Sequence, residues 1–145
     1  MKEIIDLLHD NGYSCVIANN DETRVFYSRG VKDLYDLFKN TDFLKGAFVA
    51  DKVVGKAAAS LMILGGVKEV YTDLISTPAL QMLKENCIEA SYHTEVPVIL
   101  NGSQNDWCPL EILCNQENLP ENLLPSIENF IKNIPVSTEA ITPDK

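Results

Sequence analysis

The 145-residue sequence contains no apolar run close to the roughly 18 residues that a bilayer-spanning helix needs. Its first residues, MKEIIDLLHD, place acids within the apolar pattern, which a signal peptide does not do. We therefore expect neither a membrane anchor nor export, and we expect a cytoplasmic location. The four cysteines form no CxxC pair, which favours reduced thiols over a disulfide framework.

Cations are also scarce. The 12 Lys and Arg residues are outnumbered by 21 Asp and Glu residues, so the net charge is −9. This charge argues against the basic surface that nucleic-acid-binding proteins use. Most of the cations lie in residues 1–66, which favours a compact positive site for a small anion over a surface for a polymer.

The sequence has only two histidines, His9 and His93, and neither has a second histidine or a cysteine at metal-ligand spacing. Each is predicted to be an ordinary surface or core residue. We therefore expect no metal site and no cofactor.

The apolar periodicity predicts a single α/β domain over residues 1–134 and a flexible tail over residues 135–145. A helix from Lys2 to His9 precedes two strands with hairpin spacing, and a second helix follows at 31–39. From Gly46 onward strands and helices alternate, which predicts a β-α-β-α-β unit with parallel strands. The fold class is therefore α/β, with a mixed sheet that begins in an antiparallel hairpin.

The segment from Gly46 to Gly66, GAFVADKVVGKAAASLMILGG, carries the first candidate site. Asp51 is predicted to be the N-cap of a helix that starts at Lys52, which would place Lys52 and Lys56 on one helical face beside free N–H groups. Gly55 would let a ligand approach closely. Lys56 could act as a general base with Asp51 as its partner. Each residue also has a purely structural interpretation. Asp51 could be an ordinary cap and the two lysines a solvated helix face. Lys56 and Asp51 could form a structural ion pair, and Gly55 could serve close helix packing.

Other candidates lie outside that segment. Ser76 ends a strand and caps the next helix; Arg29 could hold a phosphate or carboxylate; and Cys108, before Pro109 at a predicted helix start, could be a nucleophile. Glu111 in that helix and Asn101 in the preceding loop could line the same pocket. The alternatives are that Arg29 is an ordinary surface residue, that Cys108 is a buried packing residue, and that Glu111 only complements the helix dipole.

The motifs RGVKDLYDL, GAFVADKVVGKAAA, VYTDLIS and CPLE resemble an uncharacterised family of domains with a cytidine-deaminase-like fold. The resemblance implies a three-layer α/β/α arrangement. Zinc deaminases of this fold need a His or Cys with a Glu at one helix start and PCxxC at the next. This chain has Asp51-Lys52-Val53 and Pro78-Ala79-Leu80-Gln81-Met82 there, so the zinc ligands are not retained.

From the sequence we predict a zinc-independent domain that binds a small anionic, nucleotide-like or nucleobase-like metabolite through Arg29, Asp51, Lys52 and Lys56. Whether it catalyses a reaction stays open, although zinc-dependent deamination is not expected. The alternative is a non-catalytic regulatory or protein-interaction module on a degenerate deaminase scaffold. Neither nucleic acid nor membrane is expected as a partner, and homo-oligomerisation stays open.

Overall fold

A computed structural model describes residues 2–27, 31–99, 117 and 119–132 of the chain. Helices and strands follow one another in the predicted order: α1 (Lys2–Asp10), β1 (Cys15–Asn19), β2 (Glu22–Phe26), α2 (Lys32–Asn40), β3 (Phe48–Val54), α3 (Lys56–Gly65), β4 (Glu69–Ser76), α4 (Thr77–Glu85), β5 (Glu89–Val96) and α5 (Pro120–Lys132). None of the described helices is long and apolar enough to cross a membrane. The predicted domain boundary at residues 134 and 135 lies outside the described residues.

The described strands form one five-stranded sheet in the order β2-β1-β3-β4-β5. β1 pairs antiparallel with both β2 and β3, whereas β3, β4 and β5 are parallel. The predicted mixed sheet, with an N-terminal hairpin and a parallel β-α-β-α-β unit, is therefore confirmed.

The sheet lies between two apolar cores. On one face α1 packs Ile4 and Leu8 against Val16 and Ala50. The larger core on the opposite face takes its buried residues from α2, α3, α4 and α5 together with the other strand positions. Neighbouring residues of a strand point to opposite faces, and β1 accordingly contributes Cys15 and Ile17 to the larger core and Val16 to the smaller one. The sheet is therefore the middle of three layers, with helices on both of its faces.

α3 is the central helix of the larger core, and seven of its residues are buried. Its alanine-rich start lets the neighbouring helices approach closely, and Gly66 ends it with a left-handed φ of 85°. Gly65 has no room for a side chain, because a Cβ there would lie 2.7 Å from Leu44 Cδ1.

The predicted start of α3 was wrong. β3 continues through Val54, Gly55 is the N-cap, and the helix begins at Lys56. The physical reason is strand pairing, since Val53 and Val54 lie opposite Leu74 and Ile75 of β4. Asp51 is therefore a strand residue and not a cap.

Candidate functional site

β3 and β4 are both irregular at the same level of the sheet, near their carboxyl ends. Val49 and Val54 belong to the same core although they are five residues apart, and so do Val70 and Ile75. Strict strand alternation would place residues with odd spacing on opposite faces. The alternation is therefore interrupted once in each of the two strands.

Side-chain hydrogen bonds lie at this interruption. The Asp51 carboxylate oxygen Oδ1 accepts from the Val53 backbone N–H (3.4 Å), and the Thr72 hydroxyl oxygen accepts from the Leu74 N–H at the same distance. The Thr72 hydroxyl also donates to the Leu74 carbonyl at 3.0 Å. Such bonds to the residue two positions on are typical of turns and compete with the ladder. Asp51 and Thr72 are register partners, so the two distortions lie side by side.

Cys15 extends this pair into a polar row across three strands. It is the register partner of Asp51 on the antiparallel side. Its thiol and the Asp51 carboxyl group affect each other's pKa, which places the two side chains close together. Cys15 and Thr72 are buried and Asp51 is partly buried. We call Cys15, Asp51 and Thr72 the polar row.

Burial raises the pKa of the Asp51 carboxyl group from 3.8 to about 7. The backbone N–H groups of Val53 and Lys52 and the Cys15 thiol oppose this increase, and the negative charge of Asp73 adds to it. Near neutral pH the carboxyl group therefore exists in both protonation states. It can donate a hydrogen bond in one state and only accept in the other.

Burial, together with the charges of Asp51 and Asp33, raises the pKa of the Cys15 thiol well above its ordinary value. The thiol therefore stays protonated, so Cys15 is a hydrogen-bond donor and not a nucleophile.

Lys56 is the first residue of α3, and only 4% of its surface is exposed. Its ammonium group donates to the backbone carbonyl of Glu117, and the Glu117 carboxylate accepts from the Leu119 N–H at 3.0 Å. Lys56 thus joins the start of α3 to the segment that precedes α5. The predicted shared helical face of Lys52 and Lys56 was wrong, because Lys52 is a partly buried residue of β3 whose N–H donates to the Ser14 carbonyl.

The helix starts at the ends of β3 and β4 are both buried. Gly55 precedes α3 in extended conformation and contributes no side-chain cap. Ser76 caps α4 as its sequence predicts, since its hydroxyl oxygen accepts from the Ala79 N–H at 3.3 Å. The predicted ligand contacts of both residues stay predictions.

A second group of polar side chains, which the sequence did not indicate, joins α1 to β4. His9 Nε2 lies 2.7 Å from Asp73 Oδ1, and the Tyr71 hydroxyl donates to the same oxygen at 2.7 Å. Burial and the bond to Asp73 raise the pKa of Tyr71 to about 12. The 64 residues between His9 and Asp73 hid this contact from any local pattern. It supports the interpretation of His9 as a structural histidine.

Four candidates lie outside the described residues. They are Arg29, Asn101, Cys108 and Glu111. Their predicted roles stay predictions.

Comparison with known proteins identifies the family. Residues 3–131 match the model of TM1506, a domain of unknown function (DUF1893). The match spans most of the chain, so the chain belongs to this family. The fold is similar to the crystal structure of a DUF1893 family protein from Thermotoga maritima, with a TM-score of 0.80 and 27% sequence identity over 92% of this chain and 88% of that one. A search of the curated proteins gave no match.

Proposed function

We propose that this DUF1893 domain binds a small nucleobase-like or nucleotide-like metabolite, without zinc, at the carboxyl ends of β3 and β4. Open α/β sheets bind their ligands at this edge. The observation that carries the proposal is Asp51, a partly buried carboxyl group with a pKa of about 7 beside the hydroxyl group of Thr72. Carboxyl groups with strongly raised pKa values occur preferentially at functional sites.

The chemistry of Asp51 suits a nucleobase. A protonated carboxyl group offers one donor and one acceptor side by side, and a nucleobase edge presents donors and acceptors in the same way. Two such hydrogen bonds in a partly buried site would select a planar polar ring over a simple anion.

Aromatic surface lies at the same end of the sheet. The Tyr13 and Tyr27 rings pack edge to face with centroids 5.1 Å apart, and Tyr27 is largely exposed. Ser14, which follows Tyr13, bonds through its backbone to both Phe26 and Lys52. This connection brings the two rings to the level of Lys52, where the exposed Tyr27 ring could stack on a base.

Positive charge for an anionic part of the ligand comes from Lys52 and from the start of α3. The first N–H groups of a helix attract phosphate and carboxylate groups. Lys56 supports this end of α3 through its bond to Glu117. Arg29 is the remaining cation that the sequence assigns to the site.

The cytidine-deaminase-like fold is part of the same proposal. An antiparallel β1 beside the parallel β3, β4 and β5 supports it, with a helix starting directly after β3 and after β4. The residues present there do not fit zinc. α3 opens with Gly55, Lys56 and Ala57, and α4 carries Ala79 and Met82 at the two cysteine positions. Within the described ranges, no three His, Cys, Asp or Glu residues are placed to hold a metal ion.

A ligand screen tests the proposal. Thermal unfolding of the wild type is measured with nucleobases, nucleosides and nucleotides, since a ligand that binds the native state raises the apparent stability. Asp51→Asn should reduce the increase in Tm for every active compound. The matched control, Asp42→Asn, removes the same charge from an exposed loop residue before β3 and should leave the increase unchanged.

Lys52→Ala distinguishes binding of the anionic part of the ligand from binding of its base. It should weaken the binding of nucleotides more than the binding of the corresponding nucleobases. Lys45→Ala, at an exposed lysine in the loop before β3, should change neither. No increase in wild-type Tm with any compound would contradict ligand binding. An unchanged increase in Asp51→Asn would contradict the location of the site.

A further inference from the structure

The connection from α1 to β1 carries Tyr13, which forms an aromatic pair with Tyr27 beside the proposed ligand site. Asn11 and Gly12 are exposed, and the hydrogen bond from Asn11 Nδ2 to the Leu7 carbonyl (3.1 Å) stays within α1 and its last turn. Gly12 has a left-handed φ of 69°, a conformation that favours glycine. The place of Tyr13 therefore depends on how the two ends of this connection are held.

The β1 end of the connection is fixed through the backbone. The Ser14 N–H group donates to the Phe26 carbonyl at 2.7 Å, and the Ser14 carbonyl accepts from the Lys52 N–H group at 3.1 Å. The Ser14 hydroxyl group donates to the same Phe26 carbonyl at 3.0 Å. These bonds join the residue after Tyr13 to both β2 and β3.

The α1 end is held by apolar packing and by one directional contact. Ile4 and Leu8 are buried between α1 and the sheet, and Tyr13 packs against the same core. Apolar contacts are non-directional, so they hold α1 on the sheet without fixing its exact position. His9, in the last turn of α1, lies with Nε2 2.7 Å from Asp73 Oδ1. Because an ionised carboxyl group only accepts hydrogen bonds, His9 is the donor.

Asp73 is itself held in place by its neighbours. The Tyr71 hydroxyl group donates to the same Oδ1 at 2.7 Å, and the Tyr71 and His9 rings meet edge to face with centroids 6.0 Å apart. Asp73 directly follows Thr72 of the polar row along β4. One short segment of β4 therefore binds α1 through Asp73 and lies beside Asp51 through Thr72.

We propose that His9 is a positioning residue of the ligand site. Its bond to Asp73 fixes the end of α1, and with it Tyr13, relative to the part of β4 that lies beside Asp51. Tyr13 in turn supports the exposed ring of Tyr27, which packs against it edge to face with centroids 5.1 Å apart. The role in binding rests on the proposed function, whereas the effect of His9 on the aromatic pair does not need a ligand.

NMR of the protein with isotope-labelled tyrosine rings tests the effect on the aromatic pair. The wild type should show nuclear Overhauser contacts between the Tyr13 and Tyr27 rings. His9→Ala should lose them, whereas His9→Gln should keep them, because the glutamine amide N–H can donate to Asp73 in place of the imidazole. The matched control, His93→Ala, removes the other exposed histidine and should also keep them. Unchanged ring contacts in His9→Ala would overturn the proposal.

A double-mutant cycle tests the role in binding. Calorimetry measures the affinities of adenosine, guanosine, cytidine and uridine monophosphates for the wild type, His9→Ala, Tyr13→Ala and the double variant. His9→Ala should weaken binding roughly twofold to tenfold, which is the contribution of one aromatic contact. It should cause no further loss in Tyr13→Ala, because the ring that His9 positions is then missing. An equal loss in both backgrounds would show a general structural effect and overturn the positioning role.

The positioning role and the proposed function fail in different ways. If the wild type bound none of the monophosphates, the proposed function would be overturned. The ring contacts do not depend on a ligand, so their loss in His9→Ala would still support the positioning of Tyr13 by His9. His9 is exposed, so its replacement leaves no cavity and circular dichroism should show an unchanged fold.

Discussion

Replacing Asp51 with asparagine should make the protein more stable at neutral and alkaline pH. Asparagine has nearly the shape of a protonated aspartic acid but cannot ionise. It therefore removes the cost of a carboxylate that is partly buried beside Cys15 and Thr72. At acidic pH the wild-type carboxyl group is itself neutral, so the difference between the two proteins should vanish.

The magnitude follows from linkage. The pKa of Asp51 is about 7 in the folded chain against 3.8 ordinarily, so the folded state holds one more proton between these values. A raised pKa contributes stability that is fully present below 3.8 and is lost as the pH rises through about 7. At about 1.4 kcal/mol per pH unit, the loss reaches about 4 kcal/mol. This value is an upper bound, because the amide must replace the carboxyl hydrogen bonds.

Urea unfolding between about pH 4 and pH 9 measures the effect. The other titrating groups contribute equally to the pH dependence of both proteins. Their contributions therefore drop out of the difference in unfolding free energy between Asp51→Asn and the wild type. It should rise across the window from pH 4 to pH 7 and then stay constant. The carboxyl carbon of Asp51 should titrate near pH 7 by NMR, and this signal should be absent from the variant.

Two results would refute the reasoning. One is a variant that is destabilised equally at every pH, which would mean that the carboxyl group acts through its hydrogen bonds alone. The other is an Asp51 that titrates near its ordinary pKa. Asp42→Asn is the control, since its carboxyl group is exposed and the substitution should leave the pH dependence unchanged.

Three further predictions concern the surroundings of the site. Lys56→Met should lower the unfolding free energy by about 1.5–3 kcal/mol in urea, because it keeps the side-chain stem but removes the charged hydrogen bond to Glu117; an unchanged midpoint would contradict this. An alkylating reagent should label exposed Cys87 much faster than buried Cys15 by mass spectrometry, and equal rates would show that Cys15 is accessible. Elemental analysis should find no stoichiometric zinc, and one tightly bound zinc per chain would overturn the zinc-independent site.

The order of the elements could be predicted from the sequence because it depends on local patterns. Apolar periodicity placed the described helices and strands, and the Ser-Thr-Pro sequence at Ser76 placed the start of α4. Around Asp51 the local signal was misleading. Aspartate is a preferred N-cap, but here pairing with β4 keeps Val53 and Val54 in the sheet and moves the cap to Gly55.

The partners within the candidate site could not be predicted, because they depend on register and not on spacing. Lys56 and Glu117 are 61 residues apart, and no local pattern connects them. Cys15 meets Asp51 only because β1 pairs antiparallel with β3 at that register, and a shift of one residue would place the thiol on the opposite face.

The polar row also connects stability with the proposed function. An apolar side chain at position 51 would carry no charge to bury, and Asp51→Asn alone should already stabilise the chain. The native row instead bonds to the backbone where both strands are irregular, and it holds a carboxyl group whose ionised form is costly. Stabilising substitutions at binding sites commonly reduce binding, because a site that must exchange hydrogen bonds with a ligand keeps polar groups that the fold alone does not need. A variant that gains stability above pH 7 and loses its response to nucleobases would therefore place the function of this domain at Asp51.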